Sequence, residues 1–242
     1  MRKLYYVPII HTSADLGVIG GEAARRGVAG LGEDVWTKHV EIVSGFWQAL
    51  EDYFSAFDAA GVRIYQDGMM TDGELGERIV KEGAAKGSKN FMILLGLLKK
   101  GAVLMKTEDF ALLRKEYTLL LEISKAARPV GKLLSYLMYR LIKNRLLKKR
   151  DCYIAGMIND TLKDQETGVL FVGAYHDVRT GLSDDIQVTE LKDTKKVREY
   201  QSKFIHPERY KNEITALSQY LISAVETMPI KDESRIKSRE TG

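Results

Sequence analysis

The chain has 242 residues, 45% hydrophobic and 29% charged, with a formal net charge of +4. This is ordinary globular composition, long enough to bury about 70–75% of the unfolded surface, and so mild a charge demands neither nucleic acid nor anionic lipid as a partner. Cys152 is the only cysteine, which excludes an intramolecular disulfide and fits a reducing compartment.

No stretch reaches the ~20 apolar residues needed to span a bilayer. The longest candidate, FMILLGLLKKGAVLM, is broken by Lys99 and Lys100. The N-terminal apolar run is interrupted by Pro8 and His11 and is too short for a signal-peptide core. The expectation is a cytoplasmic protein.

LYYVPII (4–10) reads as a buried strand, and Pro8 makes it an edge or puts an irregularity there. The glycines between Gly17 and Gly32 predict a mobile loop; neither GxGxxG nor GxxxxGK[ST] is present. From Val35 to Ala60, apolar residues at spacings of three and four predict an amphipathic helix that Gly61 caps. VRIYQDG (62–68) is a second strand, ending on Asp67. Helices follow over 72–86, from Ser88 to Gly101, and from Thr107 to Arg128. A basic helix over 132–150 comes next, with six Lys or Arg among residues 139–150. Asp151 then caps a further helix through Leu162. The apolar run Val169–Val172 is a strand, IQVTEL (186–191) another, and Pro207 opens a last helix through Thr227. Alternating strands and helices predict an α/β fold, with a mixed or mostly parallel central sheet flanked by helices. Residues 1–228 form one domain in this reading, and 229–242 a polar, disordered tail.

Three of these strands end on titratable residues: His11, Asp67 and His176. Ligands of open α/β sheets bind outside the carboxyl ends of the strands. Two imidazoles and a carboxylate there can hold a divalent metal such as Mn, Co or Zn, or position a water and move its proton. No HxH, HxxxH or HExxH spacing selects the metal. Gly173 would allow close approach to the strand end, Asp177 and Asp151 would line the pocket, and Arg150 would hold an anionic group. Ser13, two residues after His11, is a nucleophile candidate without a GxSxG elbow. The remaining candidates have plain readings: His39 solvated, His206 helping to cap a helix, Cys152 a small buried hydrophobe.

Residues 150–182, RDCYIAGMINDTLKDQETGVLFVGAYHDVRTGL, resemble the C-terminal block of the TraB/GumN and TIKI families, relatives of the erythromycin esterases and the ChaN-like haem-binding proteins. The matching features are Arg150 and Asp151, the Tyr153–Leu162 helix, the Gly173–His176 GxxH and Gly181-Leu182. An N-terminal strand ending in GxxH is the other mark; here His11 is present but Pro8 replaces the glycine. Asp67 is the best counterpart of an acidic residue on the next strand. The resemblance implies an α/β fold with a site between the two histidine strands. TIKI relatives are metal-dependent proteases, and the esterase relatives use histidine and acidic residues to hydrolyse an ester.

Two functional expectations follow. One is a hydrolase of peptide or ester bonds: His11, His176 and Asp67 bind a metal or activate water, and Arg150 orients a carboxylate or stabilises negative charge. The alternative is a non-catalytic ligand-binding or regulatory protein whose basic helix docks on a membrane or acidic partner. The expected partner is a small-molecule or peptide substrate, not nucleic acid; membrane-surface contact is the less favoured reading, and a homo-oligomer stays open.

Overall fold

The computed structural model describes residues 1–12, 15, 20–125, 129–226 and 228–229, with side chains described outside 23, 119–141 and 228–229. In chain order the elements are β1 (Arg2–Ile9), α1 (Gly20–Leu31), α2 (Glu33–Ser55), β2 (Arg63–Gln66), α3 (Gly73–Ala85), α4 (Lys89–Lys99), β3 (Val103–Met105) and α5 (Phe110–Lys125). Then follow α6 (Pro129–Thr161), β4 (Thr167–Gly173), a 3₁₀ turn over Val178–Gly181, β5 (Ile186–Glu190), α7 (Thr194–Lys203), α8 (Lys211–Ile222) and β6 (Met228–Pro229).

The strand order is β3-β2-β4-β1-β5-β6. Five strands run parallel, and the two-residue β6 pairs antiparallel with β5. Side chains alternate between the sheet's two faces. Val7, Ile9, Ile64, Val169 and Phe171 meet the larger core layer, which includes residues of α2, α4, α7 and α8. Leu4, Tyr6, Tyr65, Leu170 and Val172 meet the smaller layer, made with Ile154, Ala155 and Ile158 of α6. Val169 to Val172 are fully buried. A strand covered on both faces needs a continuous apolar run rather than an alternating one, and each such side chain contributes roughly 1.5–3 kcal/mol by burial.

β1 lies inside the sheet, so the edge reading of Pro8 is corrected. The Tyr6 carbonyl accepts from Leu191 N–H on the β5 side, and the β5 ladder stops at the Tyr6–Glu190 pair. Alternation turns the Pro8 position toward that same side, beyond the end of β5, where a missing donor breaks no ladder.

Other expectations are also corrected. From Gly20 onward the glycine-rich stretch is helix α1, not a loop; a side chain at Gly27 would collide with the Trp36 ring. α2 ends at Ser55, and Gly61 serves instead in the turn before β2, at φ +72°. The basic segment and the helix expected to start at Asp151 are one 33-residue helix, α6, so Asp151 caps nothing. Thr107 does not open α5; the Asp109 carboxylate accepts from the N–H groups of Ala111 and Leu112. Pro207 precedes α8 by several residues. Strand β3 and helix α7 have no counterpart in the sequence reading. The expected tail beyond 229, Ser13 and Gly17 lie outside the described residues. No helix among the described residues is long and apolar enough to cross a membrane.

Candidate active site

β1 connects onward to β2, across β4, while β4 connects to β5, across β1. Loops leaving neighbouring strands in opposite directions open a crevice at their carboxyl ends. His11 follows β1 by two residues, Asp67 follows β2 directly, and His176 follows β4 by three.

The strand-end GAYH explains its own spacing. His176 N–H donates to the Gly173 carbonyl at 2.9 Å, closing a four-residue turn. The turn folds the imidazole back over Gly173. A Cβ placed on residue 173 would stand 3.4 Å from Asp67 Oδ2, 3.4 Å from His176 Cδ2 and 3.9 Å from His11 Nε2. The three expected side chains therefore do converge on one point, and the missing side chain of Gly173 keeps it open. His176 is 5% exposed, whereas His11 lies exposed at the rim.

Each buried group is held by several partners. Asp67 Oδ2 accepts from Gly173 N–H at 3.2 Å and lies 3.4 Å from His176 Nε2. Its Oδ1 pairs with Arg150 at 2.5 Å. His176 Nδ1 is 2.6 Å from Asp151 Oδ1, and the other Asp151 oxygen accepts from Asp177 N–H at 3.1 Å. Arg198 of α7 donates to the Ala174 and His176 carbonyls, securing the turn from behind. The Asp177 side chain is exposed, so the pocket role expected for it falls to its backbone.

The face of α6 that meets the sheet carries Ile154, Ala155 and Ile158, and Leu162 follows directly after the helix, all four buried. Arg150 and Asp151 stand four residues before Ile154 and Ala155, on the same stripe. Where the sheet lies beneath, the stripe is apolar; where the strands end, it becomes ionic.

Arg150 is not free to hold a substrate anion, which corrects that expectation. Its Nε pairs with Glu108 at 3.1 Å, and one terminal nitrogen meets Glu116 at 2.6 Å. The other bridges Asp67 and Glu108. Glu108, fully buried just after β3, is a participant that sequence reasoning missed. Burial pushes its carboxyl up to about 7, Arg150 opposes the rise, and Asp67 adds to it. Burial would also raise Asp67, but His176 and Arg150 hold it below the ordinary carboxylate range. For His176, burial disfavours the imidazolium; the hydrogen bond that its ring donates to Asp151 and the charge of Asp67 outweigh burial and raise the pKa.

The metal expectation finds no support in this geometry. Among the described residues no group of three His, Cys, Asp or Glu side chains is arranged to hold an ion. The Asp67 carboxylate already meets a guanidinium and a backbone N–H, and His176 Nδ1 already meets Asp151.

The plain readings of the other residues change too. His39 is not solvated: it stacks on Phe204 with centroids 4.3 Å apart, and its Nδ1 meets the Tyr200 hydroxyl at 2.8 Å. Cys152 is exposed on α6. His206 lies in the turns between α7 and α8 rather than at a helix start.

Comparison of the chain with protein-family models, with curated proteins and with solved structures yields no match.

Proposed function

We propose that the protein is a hydrolase of ester or peptide bonds, with His176 as the base that activates water. The observation carrying this reading is the 2.6 Å contact between His176 Nδ1 and Asp151, which turns Nε2 toward Asp67 Oδ2, 3.4 Å away beside Gly173. A carboxylate on Nδ1 selects the tautomer whose Nε2 accepts a proton, and it stabilises the imidazolium that results. Against burial, Asp151 and Asp67 raise the His176 pKa from the ordinary imidazole value by favouring the imidazolium that proton abstraction would form. His11, at the rim, is positioned to meet the leaving group. Gly173 leaves room for the scissile bond between them. The proposed kinship with the TraB/GumN and TIKI families rests on the same Arg150–Asp151 and GxxH residues and points to the same reaction class. No step is assigned to a metal.

The test is turnover of a panel of chromogenic esters and fluorogenic peptides by the purified full chain. His176→Gln is expected to abolish hydrolysis while the circular dichroism spectrum is retained. Undiminished turnover in that variant removes the proposal.

One observation favours the second reading, a ligand-binding or regulatory protein: every Arg150 nitrogen has a protein carboxylate, so the cation that pairs with Asp67 is committed internally. Absence of turnover across the panel, with saturable small-molecule binding lost in Gly173→Val, would select this reading.

A further inference from the structure

A second cleft opens between α5 and α6, lined by Lys115, Ile142, Arg145, Leu146 and Lys149, with a volume of about 380 Å³. That is the size of a small-molecule pocket. Ile142 and Leu146 are one turn apart on α6, and Leu146 is 4% exposed, so they form an apolar floor. Arg145 and Lys149, also one turn apart, form an adjacent cationic stripe, and Lys115 faces it from α5. None of the three cations has an ion-pair partner among the described residues. This contrasts with Arg2, Arg63, Arg150 and Arg179, each paired with a carboxylate. Cations gathered around one cleft repel each other and concentrate anions. Lysine and arginine together suit phosphate or carboxylate oxygens.

We infer that this cleft is a binding site for an anionic amphiphile, a phosphate or carboxylate head group on a single alkyl or acyl chain. The head would meet Lys115, Arg145 and Lys149, and the chain would cover Ile142 and Leu146. The site is independent of the proposed hydrolysis, although Lys115 and Lys149 are the chain neighbours of Glu116 and Arg150, which pair at 2.6 Å. The ligand can come free in solution or from an anionic membrane; both present the same chemistry.

Calorimetric titration of the full chain with dodecyl phosphate, kept below its micelle concentration, tests the site. One-to-one saturable binding is expected. R145E/K149E, both changes at exposed positions, should weaken it by about tenfold or more, R145K/K149R should retain it, and added salt should weaken it in the wild type. R145Q/K149Q, with a smaller loss, serves if the charge reversal disturbs folding. Vesicles of phosphatidylglycerol in phosphatidylcholine distinguish the sources. Vesicle binding displaced by dodecyl phosphate identifies a membrane lipid, and no vesicle binding identifies a free amphiphile. No saturable binding of dodecyl phosphate, equal affinity in R145E/K149E, or vesicle binding that dodecyl phosphate does not displace would overturn the inference.

Discussion

The molecule holds two largely buried imidazoles, and they titrate in opposite directions. His39 joins α2 to α7, stacked on Tyr200 and Phe204, with the Tyr200 hydroxyl at 2.8 Å from Nδ1. His176 sits at the end of β4, with the Asp151 carboxylate at 2.6 Å from the same nitrogen. Burial lowers the His39 pKa to about 4, because no charge nearby repays the lost hydration of an imidazolium. Burial acts on His176 in the same sense, yet Asp151 and Asp67 reverse it. Depth below the surface therefore does not decide the state of a histidine; the charge of its partner does. The neutral ring is an aromatic packing element between helices. The ring beside carboxylates can accept and release a proton.

The strongest way to break this contrast is to remove the cation that balances the carboxylates. Arg150→Met leaves Glu108, Asp67 and Glu116 without their shared partner. The expected loss is about 3–5 kcal/mol in urea unfolding, the cost of a stranded buried charge. An unchanged unfolding midpoint would show that the cluster does not hold α5 and α6 to the strand ends.

Acid isolates the neutral ring. A folded pKa of about 4, against 6.5 unfolded, means that the contribution of His39 is complete above pH 6.5 and is lost as pH falls through about 4. Its size is at most about 3 kcal/mol. Stability measured across that window in the wild type and in His39→Phe should differ in slope, the variant being less acid-sensitive.

Asp151→Asn makes the environment of His176 resemble that of His39. The imidazole pKa, followed by NMR, should fall, and stability should drop by about 1.5–3 kcal/mol through the lost charge-assisted bond. The sign of the pH dependence is opposite to that of His39. A raised folded pKa contributes stability fully below 6.5, which is lost as pH rises through the folded value. The asparagine variant should lose that alkaline slope, and under the hydrolase reading its turnover should fall by about two to four orders of magnitude. A His176 titration that does not move would detach the ring from Asp151.

The smallest effect is expected for His39→Phe at pH 7. Stacking on Phe204 is retained, and only the hydrogen bond of the buried Tyr200 hydroxyl is lost, about 1 kcal/mol. A larger loss in thermal melting would mean that the polar contact, not the stacking, joins α2 to α7.

Much of the fold was legible because local rules and the tertiary result agree. The unbroken Val169–Val172 run marked a strand covered on both faces, and Ser88 capped α4 as its chemistry suggests, accepting from Phe91 N–H. His11, Asp67 and His176 could be found because each lies just past an apolar run. Glu108 obeys the same rule, but β3 is only three residues long. Too short to register as a strand, it left the acid after it looking like a helix start. Asp151 was misplaced for a related reason: an aspartate before an apolar stripe has the local pattern of an N-cap, and only the continuity of α6 puts it mid-helix. Arg198 stands on α7, a helix whose polar sequence gives no sign of its reach to the GAYH turn.

The amino-acid order alone determined the α/β class, the strands β1, β2 and β4 and the titratable residues that follow them, because apolar periodicity and turn chemistry act over a few neighbouring residues. Only the tertiary structure decided that Arg150 is consumed by three carboxylates, that Asp151 faces His176, and that His39 and His176 take opposite protonation preferences. Those outcomes depend on charges brought together from positions scores of residues apart, and Coulomb interactions and desolvation follow distance in space rather than position along the chain.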